Sequence, residues 1–255
     1  MKLQLISDVH LEFWKYHTKQ AKYDELERNI LRPADVLVLA GDLDSGRQNT
    51  IDSLKFLADH YDNVMYVPGN HEYYQGLHIR GFDYDNFDCK LPENVRHLKP
   101  ESSYQIDDVT FFGATLWTNF DESLAAEKLA HKYINDFRRI PDAHKMKDIY
   151  YEHLEWIQHA YSETQGKKVI VTHFLPAMAC VSPKYRDGDM VTQYLNHYFA
   201  NSLDGWIATL ENATWLFGHT HDAVDVTLGQ TRCLARPVGY PGEHPKPYEP
   251  LVFEL

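Results

Sequence analysis

Five short patterns combine carboxylate, carboxamide and imidazole side chains: Asp8-x-His10, Asp42, Asn70-His71-Glu72, His173 and His219-x-His221. These are oxygen and nitrogen donors suited to divalent first-row metals, and histidine is also the side chain best placed to move protons near neutral pH. Each pattern has an ordinary structural explanation when taken alone. A lone histidine at a strand end is more often a hydrogen-bonded structural residue than a ligand, and Asp-x-His arises by chance. Thiolate chemistry is not indicated. Cys89, Cys180 and Cys233 are odd in number and far apart, which fits neither a disulfide framework nor a cysteine zinc site.

These groups follow apolar runs, and the runs must position them. Residues 35–42, Asp-Val-Leu-Val-Leu-Ala-Gly-Asp, lack polar alternation and read as a strand buried on both faces of a helix-covered sheet. Asp42 then falls at the carboxyl end, where open α/β sheets leave a crevice for ligands, and it is the candidate central metal ligand. The same construction recurs at residues 3–6 before Asp8, 64–67 before Asn70, 169–172 before His173 and 214–217 before His219. Helical spacing is expected at residues 24–31, stopped by Pro33, at 50–61, at 121–162 with a break at Pro141, and at 192–203. Residues 104–106 with 109–113, and 224–228 with 231–235, read as hairpins, and 251–255 as a closing strand. Residues 73–100 and 176–189 read as irregular. The expected class is α/β: one domain over residues 1–255, two packed sheets with helices outside, and residues 121–162 serving as a helical cap or crossover.

At 255 residues the chain is long enough for one sizeable core. No apolar run approaches the ~20 residues that span a bilayer, and the start enters a strand without a secretory leader pattern, so a soluble, cytoplasmic protein with no membrane partner is expected. The formal charge of −12 disfavours an extended grip on duplex DNA, which depends on neutralising phosphates with Lys and Arg. A local site for a small phosphate ester is compatible with it.

As an ordered set, Asp8-x-His10, Gly41-Asp42, Gly69-Asn70-His71-Glu72, His173 and Gly218-His219-Thr220-His221 resemble the calcineurin-like metallophosphoesterase superfamily, including bacterial and bacteriophage members, over nearly the whole chain. The resemblance implies a four-layer αββα sandwich, two mixed sheets flanked by helices. It also implies two divalent ions about 3.5 Å apart. Asp8, His10 and His221 would hold the first, Asn70, His173 and His219 the second, and Asp42 would bridge them. Manganese is the foremost choice for such ligands, with iron, zinc, nickel or cobalt as alternatives. The implied activity is hydrolysis of a phosphodiester, nucleotide-like in character, by a hydroxide bridging the ions. Phosphomonoesterase activity, on a small molecule or a protein, is the alternative. A non-catalytic protein-binding scaffold would have no physical need for a complete ligand set, and none of the seven is missing. His71, spare in the ligand count, is the candidate general acid for the leaving oxygen, and Glu72 is expected to orient His71 or a ligand. Trp117, Asn119, Tyr73, Tyr74, Tyr185 and Arg186 are candidate substrate contacts, the aromatic rings for stacking and the guanidinium for phosphate. The pattern carries no oligomeric state.

Overall fold

The continuous apolar runs become the central strands of two sheets in the computed structural model, which describes residues 1–82 and 87–255. The first sheet contains β1 (Lys2–Ile6), β2 (Val36–Ala40), β3 (Asn63–Val67) and β4 (Val95–His97), all parallel and adjacent in that order. The second contains β5 (Ser103–Ile106), β6 (Val109–Ala114), β7 (Lys167–Thr172), β8 (Ala213–Phe217), β9 (Val224–Leu228) and β10 (Thr231–Ala235), in the spatial order β5-β6-β7-β8-β10-β9. Here β6, β7, β8 and β10 run parallel, while β5 and β9 are antiparallel edges. A last strand, β11 (Leu251–Glu254), returns to the first sheet antiparallel to β1. Both sheets are therefore mixed, as expected.

Successive strand residues face opposite sides, and this period sorts the core into two layers. Leu3, Leu5, Val36, Val38, Ala40, Met65 and Val67 of the first sheet form one buried cluster with Val109, Phe111, Val169, Val171, Leu216 and Leu234 of the second. That cluster is the sheet-to-sheet interior. The alternate residues, Leu37, Leu39, Val64 and Tyr66 among them, face helices. Leu26 of α1 (Lys19–Asn29) and Ile51, Leu54 and Leu57 of α2 (Arg47–Ala58) are buried with them. Between β6 and β7 come α3 (Leu124–Tyr133), the single turn α4 (Asp136–Arg139) and α5 (Met146–Glu163). Between β7 and β8 come α6 (Pro183–Arg186), α7 (Met190–Phe199) and α8 (Asp204–Ile207).

Several boundaries differ from those expected, for local reasons. The first helix begins at Lys19 because the Thr18 hydroxyl accepts the Ala21 N–H, a cap placed before a polar first turn. The second begins at Arg47 rather than residue 50, after Gly46 with φ 82° and without a side-chain cap. The segment expected to be irregular, residues 73–100, contains β4, a three-residue strand whose middle side chain is exposed. Its residues 83–86 lie outside the described residues. The other irregular segment, residues 176–189, contains α6, and α7 starts at Met190 because the Asp189 carboxylate accepts the Thr192 N–H. Among the described residues, no helix is long and apolar enough to cross a membrane.

Candidate metal centre

The parallel strands β1, β2, β3, β7 and β8 deliver their following residues to one end of the sandwich. Asp8, His10, Asp42 and Asn70 come from the first sheet, and His173, His219 and His221 from the second. The turns are tight and unusual. Asp8, His10, Asp42, His219 and His221 all have positive φ, between 51° and 66°. Residues other than glycine occupy that region sparsely, at a cost of roughly 1–3 kcal/mol each, and such strain concentrates where function fixes the backbone.

Hydrogen bonds between motifs lock the turns together. The Asp8 N–H donates to Gly41 O and the His10 N–H to Asp42 O, both at 3.0 Å. The Asp42 carboxylate accepts the His71 N–H at 2.9 Å, and Asp8 accepts the His219 N–H at 2.9 and 3.1 Å. Glu72 is fully buried and does not touch His71. Its carboxylate accepts the backbone N–H groups of Asp42 at 3.0 Å, Leu43 at 2.7 Å and Gly69 at 2.7 Å. It thus splints the turn that carries Asp42, which is the second of the two expected roles, orienting a ligand rather than His71. Burial and the nearby Asp42 carboxylate raise its pKa to about 8 despite the three donors. Asp44 is also buried, with burial raising its carboxyl to about 6, and it accepts the N–H of Ser45. Backbone proximity explains Gly69. A Cβ there would overlap the Asp42 carboxylate and the His173 ring.

The imidazoles are oriented through Nδ1. That of His10 meets Glu12 Oε1 at 3.2 Å, that of His173 meets Ala40 O at 2.8 Å, and that of His221 meets Glu243 Oε2 at 2.7 Å. An Nδ1–H donated outward leaves the Nε2 lone pair free to face inward, the usual way an outer carboxylate or carbonyl prepares a metal-binding histidine. The Nε2 atoms then converge. His10 and His221 approach within 3.0 Å, and His173 lies 3.0 Å from Asn70 Oδ1. Asp42 Oδ2 is 3.7 Å from His10 Nε2 and 3.5 Å from His173 Nε2, and Asp8 Oδ1 is 3.6 Å from His221 Nε2. The buried Nε2 of His219 has no hydrogen-bond partner among the described residues. An orphaned buried acceptor and facing lone pairs are costly without a cation. Asp8, His10 and His221 form one group whose donor atoms lie within 4.8 Å of one another, and Asp42, His173 and His219 form another. The donor set fits divalent ions.

His71 belongs to a third such group, with His10 and Asp42. Its Nδ1 lies 2.7 Å from Glu12 Oε1, and its Nε2 is 3.4 Å from the Tyr240 hydroxyl. Burial works against protonation, but the Asp42 and Glu12 carboxylates prevail and raise its pKa to about 9. Burial also opposes ionisation of Glu12, yet its bonds to His10 and His71 hold that carboxyl below its usual range.

A cleft of about 880 Å³ opens over the centre, lined by Phe13, Tyr74, Tyr133, Tyr185 and Tyr240 as well as Asp42, Asn70, His219 and His221. Arg139 is the one Lys or Arg among the described lining residues. Four of the expected substrate contacts lie elsewhere. Trp117 and Tyr73 are in the core, their rings 5.1 Å apart and closed to any ligand. Asn119 accepts the Asp121 N–H at the start of a turn, and neither it nor Arg186 lines the cleft. The other two expected contacts, Tyr74 and Tyr185, do line it. Glu12 and Glu243 were missed. Glu12 stands two residues after His10, a spacing that identifies it in hindsight, whereas Glu243 carries no such signal.

Comparison with known proteins agrees with this geometry. The calcineurin-like phosphoesterase pattern matches residues 1–223. An uncharacterized protein of Acanthamoeba polyphaga mimivirus is 28% identical over 239 residues, covering 86% of this chain and 84% of that one. Among solved structures, the phosphopantetheinyl hydrolase of Mycobacterium tuberculosis superimposes with a TM-score of 0.72 at 20% identity, over 94% of this chain and 90% of that one. The protein TT1561 of Thermus thermophilus gives 0.52 at 14% identity, over 92% and 88%. These two likenesses establish the shared sandwich. With the sequence pattern spanning both sheets and every strand-end turn, the chain belongs to the calcineurin-like phosphoesterase family of metal-dependent phosphoester hydrolases.

Proposed function

We propose that this chain hydrolyses a small phosphodiester, nucleotide-like in character, at a dinuclear centre. Asp8, His10 and His221 would hold one ion and Asn70, His173 and His219 the other, with the Asp42 carboxylate within reach of both sets. The observation that carries the reading is the convergence of the imidazole Nε2 atoms of His10 and His173 on Asp42, beside His219, whose buried Nε2 has no hydrogen-bond partner among the described residues. Manganese is the proposed ion, with iron, zinc, nickel or cobalt as the alternatives that the same oxygen and imidazole set accommodates. When bound, such ions neutralise phosphoryl charge and make water nucleophilic at neutral pH.

The chain's own groups account for the rest. His71 donates a proton from Nε2 to the leaving oxygen, while Glu12 fixes its ring through Nδ1. Tyr74 stacks on that ring with centroids 4.3 Å apart and keeps water from one face. The aromatic lining suits a stacked base. Glu12, Asp136 and Glu243 also line the cleft against the single Arg139, so it tolerates a singly charged diester better than a doubly charged monoester.

The test is hydrolysis of bis-p-nitrophenyl phosphate and p-nitrophenyl phosphate after chelation and readdition of Mn²⁺, Fe²⁺, Zn²⁺, Ni²⁺ or Co²⁺, for the parent and Asp42→Asn. Metal-dependent cleavage favouring the diester, strongest with Mn²⁺ and abolished in Asp42→Asn, is expected. Preference for the monoester overturns the diester reading. Activity that survives in Asp42→Asn overturns the assignment of the centre.

A further inference from the structure

Asp136 is a buried carboxylate in α4, within the excursion between β6 and β7 and 66 residues from Asn70. Three donors converge on it. Asn70 Nδ2 donates to Oδ1 at 2.9 Å, the Tyr74 hydroxyl to Oδ1 at 2.7 Å, and the Tyr198 hydroxyl to Oδ2 at 2.5 Å. Each belongs to a different wall of the centre. Asn70 presents Oδ1 toward His173 Nε2 at 3.0 Å, Tyr74 stacks on His71, and the Tyr198 ring packs 5.6 Å from the His219 ring.

The amide of Asn70 has a donor end and an acceptor end of nearly equal size, and only the acceptor end can hold a cation. Which end faces the centre is decided by what the other end meets. An ionised carboxylate only accepts, so it attracts the NH₂ and repels the reversed amide. We propose that Asp136 is a positioning residue for the metal centre: it sets the orientation of Asn70, and through Tyr74 and Tyr198 it fixes the rings beside His71 and His219. The proposal rests on the metal-centre reading above. It makes the β6–β7 excursion part of the centre's construction, because the acceptor shared by the three partners comes from that excursion and from neither sheet.

The test is calorimetric titration of the chelator-treated protein with Mn²⁺ alone, together with the visible spectrum of the protein loaded with Co²⁺ alone, for the parent, Asp42→Asn, Asp136→Leu and Asp136→Asn. Far-UV circular dichroism checks that each variant is folded. Asp136→Leu removes the acceptor at similar volume and is expected to weaken one of two equivalents by about 10–100-fold and to alter the Co²⁺ spectrum. Asp136→Asn is expected to restore parental binding, since its amide oxygen accepts from Asn70 and Tyr74 while its NH₂ donates to the Tyr198 hydroxyl. Should Asp136→Leu fail to fold, Asp136→Ala carries the same expectation. Two equivalents bound with parental affinity and spectrum in the Leu or Ala variant overturn the positioning role, as do equal losses in the Leu and Asn variants. If Asp42→Asn itself keeps both equivalents, the metal-centre reading fails, and the positioning role falls with it.

Discussion

Glu72 offers a direct test of how the centre is supported. Its carboxylate is the acceptor for three buried backbone N–H groups, those of Asp42, Leu43 and Gly69. A buried donor that loses its partner costs about 1–3 kcal/mol. Three such losses in Glu72→Ala reach roughly 3–9 kcal/mol, and water entering the vacated space offsets part of this, so about 3 kcal/mol is the expected cost. For a chain of this size that corresponds to a fall in melting temperature of about 6–12 °C. Asp42, at φ 55°, then loses the restraint that holds its turn, and Mn²⁺ affinity is expected to fall about 10–100-fold. Glu72→Gln keeps the volume and one acceptor oxygen but sets an NH₂ against backbone donors, so its losses should lie between those of parent and Ala. The measurements are thermal unfolding in chelator and calorimetric titration with Mn²⁺. A Glu72→Ala protein that melts within about 2 °C of the parent and binds Mn²⁺ as tightly would refute the splint.

Three further outcomes are expected. His71→Gln should lower turnover by about 10²–10⁴-fold while metal content by mass spectrometry stays parental, and loss of the metals would instead make His71 a ligand. Gly69→Ala should abolish Mn²⁺ binding while far-UV circular dichroism stays parental, because the new methyl overlaps Asp42 and His173; unchanged binding would show that the turn has room to move. Burial holds the His153 imidazole down at about 3, from an ordinary 6.5, as its Nδ1 accepts the Leu116 N–H. The unfolded chain therefore takes up a proton that the folded one refuses, and stability present above pH 6.5 falls by about 1.4 kcal/mol per unit between pH 6.5 and 3. His153→Gln keeps an acceptor but cannot titrate, so urea unfolding in chelator at pH 7.5, 6 and 5 should give it a shallower slope than the parent; equal slopes would refute this.

What the sequence disclosed depended on how much of the signal was local. Val36–Ala40 was legible to the residue, since a strand buried on both faces admits no polar side chain, and the donors were legible because each follows such a run. The strand β4 was not, because three residues with an exposed arginine at the centre carry no period. The start of α2 left no capping side chain to read, whereas Thr18 did offer a cap that apolar spacing overlooked. Of the candidate substrate contacts, Tyr74 and Tyr185 reach the cleft and the other four do not. Tyr73 and Tyr74 look alike in sequence, but the turn after β3 sends the first into the core and the second into the cleft. Asp136 lies in Asn135-Asp136-Phe137-Arg138-Arg139-Ile140, which is similar to a segment of some bacterial and bacteriophage relatives, but nothing local connects it to Asn70.

The division of donors between the two sheets has a consequence for how the protein is made. Asp8, His10, Asp42 and Asn70 leave the ribosome first, while His221 follows about 150 residues after Asn70. At about 5–20 residues per second, this interval is roughly 8–30 s. During that time the nascent chain offers two carboxylates, one amide and one ligand imidazole without the imidazoles of the second sheet. Such a half-set holds any ion loosely and lacks the nitrogen donors that set its preference. On the proposed ligand assignment, choice of metal is deferred until the second sheet has closed on the first, and is made by the folded protein from whatever ions surround it at that moment.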